Sequence, residues 1–523
     1  MSDALPTRSM LSAATSDRLD PSSRFHVAID LGAGSGRAFL GAIGPDRNDA
    51  KGGTPFILEE VHRFHYAPRH SDGRLRWDVT RLFEGITTGL AHARKRAGEL
   101  LASASKGAST NVSTNVNTSA TANAGDGRID SIGVDSWAVD YGLLDANNRL
   151  IEEPICYRDE RTAGVMEDVL ARVPREEMFA RTGIQFLPLN TIYQLAAHHR
   201  DGFPAEARRL LLIPDLCHHF LCGSLVGERT NASTTQLLDV RRGAWDDELF
   251  EQLGLGAIRP LMPGLVNAGT ELGVTGHSNT TRVIAPATHD TASAVAGTPL
   301  EPGWAFISSG TWSLVGVERD APQLDPAAAR ARFTNEAGVD GTVRFLTNVM
   351  GLWLLESCRK EWTAAGYTAD LPAILSRVAD VPGFVGFICP DAPRFFNPPH
   401  MTRELQSALA ESGQTAHDDP VLLTKVILDS LAARYASVID TIERLTSRPI
   451  SGLHIVGGGS QNVLLCQLTA DFTGRPVVAG PVEATALGNV LIQARAQGVG
   501  PESLADLRAL VAGSTALRRY EPA

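Results

Sequence analysis

Apolar residues along the chain change repeatedly between helical and strand-like spacing. Leu82, Phe83, Ile86 and Leu90 recur on one predicted helix face, and IDSIGVDSWAVDYGLLD (residues 129–145) predicts two β-strands around a turn. Short β-rich runs also begin at residues 210, 283, 304 and 453, and apolar helical stretches separate them. This alternation predicts an α/β protein in which helices pack on sheets.

A low-complexity tract interrupts the pattern between the predicted helix and the strands that follow it. Residues 102–127 (ASASKGASTNVSTNVNTSATANAGDG) contain almost nothing to bury, so no burial would offset the entropy lost on ordering them. We therefore predict a surface insertion within a domain. Residues 1–24 are rich in Ser, Ala and Asp, and we predict a disordered tail there.

Two segments share the layout of an apolar strand, a loop of small residues and a second apolar strand. They are FHVAIDLGAGSGRAFLGAI (residues 25–43) and GWAFISSGTWSLVGV (residues 303–317). One stands at the head of each half of the chain, which predicts two similarly built domains. We assign residues 25–297 to an N-terminal domain and residues 298–523 to a C-terminal domain.

Composition and charge exclude several classes of function. A chain of 523 residues is too long for one ordinary hydrophobic core. A net charge of −11 without a sustained basic run argues against nucleic acid or anionic membrane as a partner. The six cysteines include no C-x-x-C pair and resemble no secreted disulfide framework. Because no apolar run could span a membrane or serve as a signal peptide, we expect a cytoplasmic protein.

The loop of the first hairpin has the composition of an anion-binding loop. Its residues 30–37 (DLGAGSGR) combine glycines, which let backbone N–H groups approach phosphate, with side-chain donors from Ser35 and Arg37. The alternative is a tight turn in which the glycines only supply positive φ. Asp30, at the end of a buried strand, would need donors or a cation, and a hydrated Mg²⁺ is a natural partner.

Two further loops could bind parts of a nucleotide. Residues 308–313 (SSGTWS) offer hydroxyl groups around a glycine, although a Ser/Thr-rich β-turn would look the same. Residues 457–462 (GGGSQN) connect a strand to a helix, where a flat ligand such as adenine could lie against the backbone. The alternative for this third loop is a plain strand-to-helix connection with Asn462 as the helix N-cap.

A His-Asp pair stands where a predicted strand ends and a helix of small residues begins, in residues 286–293 (PATHDTAS). Asp290 could be no more than the helix N-cap. A carboxylate at the carboxyl end of a strand is also where α/β folds place their sites. There it could accept the proton of a hydroxyl group that attacks a γ-phosphoryl group.

Two other clusters are less promising. Cys217, His218, His219 and Cys222 are potential zinc ligands, but their spacing in LLIPDLCHHFLCG does not place them on one face of the predicted core helix. The basic run at residues 94–96 is better explained as a solvated helix face.

Taken in order, these segments resemble the FGGY family of carbohydrate kinases. The resemblance covers about residues 25–500 without the insertion, and it is carried by DLGAGSGR, FEGITTGL, IDSIGVDSWAVDYGLLD, YRDERT, RTGIQFLPLNTIYQL, TNASTTQLLDV, HDTASAV, SSGTWSL, TNVMGLWLLE, PDAPRFFNPPHM, HIVGGGSQN and AGPVEATALGN. It implies two ribonuclease-H-like domains of the actin and hexokinase ATPase type, with a cleft between them. It also implies a kinase that uses ATP with Mg²⁺. The sequence leaves the oligomeric state open between a monomer and a homodimer.

The resemblance implies a role for each matching position. Asp290 would be the proton acceptor, and Asp30 would position Mg²⁺. The other implied contacts are Ala138, His289, Thr291 and Asn348 at the sugar, and Ala33, Gly34, Ser35, Gly36, Arg37, Thr311, Glu356 and Gly458 at ATP. Within the family the similarity is greatest to members that phosphorylate L-rhamnulose at its 1-hydroxyl group.

Two positions depart from the family pattern. The family has a sugar-contacting Gly where this chain has Ala138, whose methyl group crowds the sugar or is harmless if only the backbone is used. It has Gln where this chain has Glu356, a carboxylate that repels phosphate unless it binds a cation or faces the ribose. Other ketoses or polyols such as fuculose or xylulose remain alternative substrates, and a non-catalytic nucleotide-dependent sugar sensor remains an alternative function.

Overall fold

A computed structural model describes residue 19 and residues 22–44, 56–108, 127–276, 280–367 and 370–523 of the chain. Most of the predicted N-terminal tail lies outside the described residues, as do residues 109–126 of the predicted insertion. The first helix continues to Ala108, so it extends into the tract that the sequence assigned to the insertion.

The strands of the first half are β1 (Arg24–Leu31), β2 (Ser35–Ile43), β3 (Phe56–His65), β4 (Arg69–Ser71), β5 (Arg74–Arg76), β6 (Ser131–Ser136), β7 (Tyr141–Leu144), β8 (Arg209–Leu212), β9 (Gly227–Glu228), β10 (Leu238–Asp239), β11 (Ala244–Trp245), β12 (Leu265–Val266), β13 (Thr270–Val274) and β14 (Arg282–Ala285). Its helices are α1 (Val79–Ala108), α2 (Val165–Arg172), α3 (Arg175–Thr182), α4 (Thr191–Gly202), α5 (Ile213–Cys222), α6 (Arg229–Ala232), α7 (Asp247–Gln252) and α8 (Asp290–Ala296).

The strands of the second half are β15 (Ala305–Ser309), β16 (Trp312–Arg319), β17 (Thr334–Ala337), β18 (Val343–Met350), β19 (Leu453–Val456), β20 (Val477–Ala479) and β21 (Arg518–Tyr520). Its helices are α9 (Pro326–Arg330), α10 (Trp353–Ala364), α11 (Leu371–Ala379), α12 (Met401–Glu411), α13 (Pro420–Thr446), α14 (Val463–Thr473), α15 (Ala484–Ala496) and α16 (Leu504–Ser514).

Each half is organised around one mixed sheet, and the two sheets repeat one topology. The first has the order β13-β14-β6-β1-β2-β3, in which β1, β2 and β3 are antiparallel neighbours and β6 lies parallel to β1. The second has the order β17-β18-β16-β15-β19-β20-β21, in which β15, β16 and β18 are antiparallel neighbours and β19 lies parallel to β15. The prediction of two α/β units, each headed by a hairpin, is confirmed.

The strands that head each sheet are apolar because both of their faces are covered. In the first half, α1 packs on β2 and β3 from one side, and α15 packs on β1 and β6 from the other. Every residue of β1 after Arg24 is buried, which explains its nearly continuous apolar sequence. In the second half, α13 packs on β16 and α14, within the largest apolar core of the described residues.

Helix α15 lies late in the chain but packs against the first sheet. It crosses α8 at Gly488, where an added Cβ would lie 2.0 Å from the carbonyl oxygen of Ser293, so only glycine permits this approach. The amide of Gln493 donates to the carbonyl oxygen of Val27, in β1, at 3.0 Å. The two halves therefore share a packed and hydrogen-bonded boundary at this helix. No helix among the described residues is long and apolar enough to cross a membrane.

Candidate active site

A cleft with a volume of about 430 Å³ lies where the two hairpin loops approach each other. Ten of the residues singled out in the sequence line it: Asp30, Ala33, Arg37, Ala138, His289, Asp290, Thr291, Thr311, Asn348 and Gly458. The strand ends of both sheets therefore converge on one site, as expected for the carboxyl ends of parallel strands in α/β folds.

The first hairpin brings opposite charges to the cleft. Asp30 and Arg37 are cross-strand partners, and the Arg37 guanidinium donates to the Asp30 carboxylate at 2.5 Å. The same guanidinium donates at 2.5 Å to Glu483, which directly precedes α15. Burial raises the pKa of Glu483, whereas the charge of Arg37 opposes that rise. Arg37 is thus clamped between two carboxylates and is fixed in direction before any ligand binds.

The glycines of the first loop are not needed for positive φ, because none of Gly32, Gly34 and Gly36 has such a backbone angle. The alternative explanation offered by the sequence, a turn that only requires left-handed residues, is therefore wrong. Gly36 is required by packing, since an added Cβ would lie 2.3 Å from the Phe64 ring. A Cβ on Gly34 would meet its nearest neighbour only at 4.0 Å, so its backbone is open to an approaching ligand.

Asp290 is the first residue of α8, and His289 is the N-cap, so the interpretation of Asp290 as the cap itself is wrong. Its Oδ1 atom accepts hydrogen bonds from the backbone N–H of Thr291 at 2.5 Å and from the Thr291 hydroxyl at 3.0 Å. The side chain is 35% exposed, toward the cleft that it lines. Burial raises the pKa of Asp290 above its ordinary value, His289 opposes the rise, and the charge of Asp30 adds to it.

A buried carboxylate holds the segment that carries Asp290 in place. Glu228 accepts hydrogen bonds from the backbone N–H and the hydroxyl of Thr288, at 3.0 and 2.9 Å. It also accepts one from the hydroxyl of Thr230, at 2.5 Å, and that hydroxyl in turn accepts the backbone N–H of His289 at 3.2 Å. The position of the His-Asp pair is thus fixed by groups that lie about sixty residues earlier in the sequence.

The second hairpin brings neutral groups to the cleft. Its loop closes through the backbone N–H of Gly310, which donates to the carbonyl oxygen of Trp312 at 2.8 Å. The glycines after β19 pack against it, since a Cβ on Gly459 would lie 2.0 Å from the hydroxyl oxygen of Ser309. Gly458, by contrast, faces open space. Asn462 caps α14 by accepting from the backbone N–H of Leu465 at 3.0 Å, as the sequence suggested.

On the remaining wall, Asn348 and Ala138 lie among groups that reach the cleft from both halves. The Asn348 side chain donates to the side-chain oxygen of Gln185 at 3.0 Å. Ala138 precedes Val139, a β-branched residue with φ of 73°, a strained conformation for this residue type. The carbonyl oxygen of Val139 accepts the Thr191 hydroxyl at 2.7 Å, which helps to hold this conformation.

Four of the predicted site residues do not line the cleft: Gly34, Ser35, Gly36 and Glu356. The first three belong to the loop and strand that carry Ala33 and Arg37. Glu356 lies in the first turn of α10, where its side chain is 49% exposed and is paired with Arg359 at 2.8 Å.

Sequence reasoning assigned no role to several cleft residues: Trp137, Tyr157, Arg158, Gln185, Asn190 and Glu336. Most lie in motifs that carried the family resemblance, so position within a motif was the available signal. Asp140 organises part of this wall, because its carboxylate accepts from the indole N–H groups of Trp77 and Trp137 at 2.6 and 3.0 Å. Burial raises the pKa of Asp140 to about 6.

The Cys-His cluster lies away from the cleft, in α5. Its members have different neighbours: His218 accepts the backbone N–H of Val134 at 3.1 Å, and the Cys222 thiol donates to the carbonyl oxygen of His218 at 3.3 Å. The segment forms the core helix that its apolar pattern predicted, with Cys217 and His218 buried.

The chain is similar to known sequences along most of its length. Sequence profiles described as the N-terminal and C-terminal domains of the FGGY family of carbohydrate kinases match residues 107–297 and 305–497. The rhamnulokinase of Pectobacterium carotovorum (strain PC1) is 41% identical over 508 residues, which are 95% of this chain and 92% of that protein. The rhamnulokinase of Klebsiella pneumoniae (strain MGH 78578) is 39% identical over 515 residues, 96% of this chain and 95% of that protein.

Solved structures resemble the fold at much lower sequence identity. A ligand-bound xylulose kinase from Lactobacillus acidophilus superposes with a TM-score of 0.72 at 15% identity, covering 96% of this chain and 94% of that one. Plasmodium falciparum glycerol kinase with ADP superposes with a TM-score of 0.67 at 14% identity, with the same coverage of both chains. By the sequence profiles and by its close relatives, the chain belongs to the FGGY family of carbohydrate kinases.

Proposed function

We propose that the chain transfers the γ-phosphoryl group of ATP to the 1-hydroxyl group of L-rhamnulose, giving L-rhamnulose 1-phosphate and ADP. The observation that carries the substrate is the identity of about 40% to rhamnulokinases over about 95% of the chain. The geometry supports the chemistry, because a partly exposed carboxylate and two hairpin loops face one cleft. We also propose residues 25–297 and 298–523 as the two domains.

The nucleotide would lie between the two hairpin loops. Residues 33–37 and Thr311 would donate to phosphate oxygens, and Gly458 would leave room for the adenosine, because no atom lies within 4 Å of a Cβ placed there. Glu356 is not included in the proposed nucleotide site, because its exposed carboxylate is paired with Arg359 outside the cleft.

Asp30 is the residue that we propose for positioning Mg²⁺. Its Oδ2 atom accepts from Arg37, and no described residue forms a hydrogen bond with its Oδ1 atom. A carboxylate oxygen that faces a cleft suits a cation that keeps most of its ligands as water and phosphate oxygens. Bound there with ATP, Mg²⁺ would supply positive charge against the phosphate oxygens.

Asp290 would accept the proton of the sugar 1-hydroxyl as that oxygen bonds to the γ-phosphorus and the bond from phosphorus to the β,γ-bridging oxygen breaks. Its raised pKa makes it a stronger base than an ordinary aspartate. A positioned base of this kind contributes roughly 100- to 10,000-fold to a rate. Loop donors and Arg37 would stabilise charge on the transferring group, and no covalent enzyme intermediate is required.

The sugar would lie beside α8, within reach of His289, Thr291 and Asn348, with Ala138 against one side of it. Asn348 is already oriented by Gln185, which leaves its amide little freedom to turn. Closure of the cleft around both substrates would exclude water and so prevent wasteful ATP hydrolysis.

The test is ADP release by the purified protein with Mg-ATP and a panel of L-rhamnulose, L-fuculose, L- and D-xylulose, L-ribulose and glycerol. We expect a strong preference for L-rhamnulose, measured as kcat/KM. Preference for another sugar would leave the kinase function in place but overturn L-rhamnulose as the substrate. No stimulation of ATP turnover by any of these sugars would overturn the enzymatic function and favour a sensor.

A further inference from the structure

An ion pair from the second sheet reaches the His-Asp pair of the first half. Glu336 and Arg344 are cross-strand partners on β17 and β18. Their side chains meet with Arg344 Nη1 3.1 Å from Glu336 Oε2, and the Arg344 side chain is 0% exposed. Arg344 Nη2 lies 3.1 Å from Nδ1 of His289, in a hydrogen bond between the two halves of the chain.

A fully buried guanidinium is unfavourable unless its donors are satisfied. Arg344 directs two of its donors to acceptors: Nε donates to the carbonyl oxygen of Ala337 at 3.1 Å, and Nη2 donates to the His289 ring. Its Nη1 atom is paired in charge with the Glu336 carboxylate but forms no hydrogen bond. The other ring nitrogen of His289, Nε2, is 3.4 Å from Oδ1 of Asp290. An uninterrupted set of polar contacts therefore runs from β17 and β18 to Asp290.

The arginine determines which ring nitrogen of His289 can carry the proton. A guanidinium has N–H donors and no acceptor, so Nδ1 of His289 must accept the hydrogen bond from Arg344. A proton on Nδ1 would point at an N–H group of Arg344. The competing acceptor for such a proton, Glu336 Oε2, is 3.4 Å from Nδ1, and no hydrogen bond joins these two atoms. A neutral His289 therefore carries its proton on Nε2, beside Asp290.

We propose that Arg344, held by Glu336, is a positioning residue that keeps His289 in the neutral tautomer with its proton on Nε2. Through that tautomer His289 presents a hydrogen-bond donor next to the carboxylate of Asp290. The role of this donor rests on the proposed function, in which it would bind a sugar oxygen near the attacking hydroxyl group. The tautomer itself does not depend on which sugar is the substrate.

The arrangement makes the state of His289 depend on contact between the two halves. His289 and Asp290 belong to the segment at the start of α8, whereas Arg344 and Glu336 lie in the second sheet. A separation of β17 and β18 from α8 would leave Nδ1 without its donor and free the ring to change tautomer. Contact between the two halves thus fixes the donor at the sugar.

The first experiment is nitrogen NMR of the full-length protein labelled with ¹⁵N-histidine, with the His289 signals assigned by their loss in His289→Asn. We expect Nδ1 of His289 to be unprotonated and Nε2 protonated. Arg344→Met should change or average these two signals, and Arg344→Lys, which retains a donor, should preserve them in large part. His218 is the internal control, because its Nε2 accepts the Val134 N–H, so its proton must be on Nδ1 in every variant.

A proton on Nδ1 of His289 in the unsubstituted protein would overturn the proposal without the need for any variant. Unchanged His289 signals in a folded Arg344→Met protein would also overturn it. If Arg344→Met does not fold, Glu336→Gln serves in its place, since it removes the charge that holds Arg344 but keeps the shape of the side chain. We expect this variant to broaden or shift the His289 signals and to leave those of His218 unchanged.

Kinetics provide the second measurement. Arg344→Met should lower kcat/KM for the sugar by about 100-fold, as expected for a displaced positioning group, while KM for ATP changes little. Arg344→Lys should recover most of that loss. Equal loss in both variants, or a parallel rise in KM for ATP, would indicate a merely structural role and would contradict the proposal. Failure of the substrate assignment is distinguishable, because it changes the preferred sugar and leaves the NMR result intact.

Discussion

The two hairpins that head the two sheets share one strand topology but bring different chemistry to the cleft. In the first hairpin, Asp30 and Arg37 face each other across the strands, and Glu483 adds a second carboxylate. In the second hairpin, the positions next to the loop are Ser309 and Ser313, and the loop residue that lines the cleft with a hydroxyl group is Thr311. The first hairpin is therefore charged, with Arg37 held between two carboxylates, and the second hairpin is neutral.

This difference shows that repeated topology fixes where the loops lie but not what they contribute. Hydrogen bonds that involve a charged group are roughly twice as strong as those between neutral groups. Removal of one member of a buried charge pair also leaves its partner without a compensating charge. We therefore expect substitutions near the first hairpin to have much larger effects than substitutions in the second.

The largest effect is expected at Asp290, which lies on the side of the first sheet. Asp290→Asn keeps the size of the side chain but removes its ability to accept a proton. Turnover of sugar should fall by about 100- to 10,000-fold, the usual contribution of a general base, while ATP affinity changes little. ADP release under saturating substrates measures the first quantity, and nucleotide titration measures the second.

The matched control is Asp320→Asn, the same change at an exposed residue that does not line the cleft, and it should leave turnover unchanged. Near-normal turnover in Asp290→Asn would show that another group accepts the proton.

The next largest effect is expected at Asp30, within the charged hairpin. Asp30→Asn removes one carboxylate from Arg37 and weakens the proposed cation position. Activity should fall by about 10- to 100-fold, as for other groups that orient a metal site, and more Mg²⁺ should be needed for half-maximal activity. A loss of activity with an unchanged Mg²⁺ requirement would show that Asp30 acts only by holding Arg37 in place. Steady-state assays across a range of Mg²⁺ concentrations separate the two outcomes.

Much of this comparison could be predicted from sequence. The strand, loop, strand layout of residues 25–43 and 303–317 indicated both hairpins, because apolar strands and small-residue loops differ sharply in composition. The sequence marked Asp290 as a candidate site residue because it stands between a predicted strand and a predicted helix. The proposed role of Thr311 came only from the family resemblance, since a Ser/Thr-rich loop is ambiguous by itself.

The contacts between distant parts of the chain could not be predicted in this way. Arg37 and Glu483 are 446 residues apart, and nothing in the local pattern around either one indicates the other. Nothing in the sequence around Arg344 marks it as a buried residue, yet it is fully buried on β18 and contacts His289. The reason for Gly36 was also hidden, because it depends on the Phe64 ring of the neighbouring strand.

The pH dependence should show the influence of the charged hairpin on Asp290. Because burial and Asp30 raise the pKa of Asp290, its carboxylate becomes protonated at a higher pH than an ordinary aspartate. Because the base is active when deprotonated, kcat/KM for the sugar should fall about tenfold per pH unit below this pKa. This acid limb of the pH profile should begin above pH 3.8, the ordinary pKa of an aspartate. A limb at or below that value in a protein that remains folded would contradict the prediction.

A smaller effect is expected from the second hairpin. Thr311→Val removes one neutral hydroxyl group but keeps the shape of the side chain. The loss of a neutral hydrogen bond costs about 1 kcal/mol, which corresponds to about a fivefold rise in KM for ATP. If Thr311→Val impaired the enzyme as strongly as Asp30→Asn, the two hairpins would contribute equally, and the expected difference between them would be wrong. ATP titrations of both variants under the same conditions provide the test.

The smallest effect is expected at Ala138, the position where the family has a glycine. Ala138 does not have positive φ; the strained residue is Val139, which Thr191 helps to hold, so the Ala138 methyl group is tolerated by the backbone. Ala138→Gly should raise KM for the sugar by no more than about fourfold, the value of one buried methyl group, with kcat unchanged. KM for ATP is the control and should not move. A fall in KM for the sugar would instead show that the methyl group crowds the ligand, and would mark this wall as the place where substrate choice is adjusted.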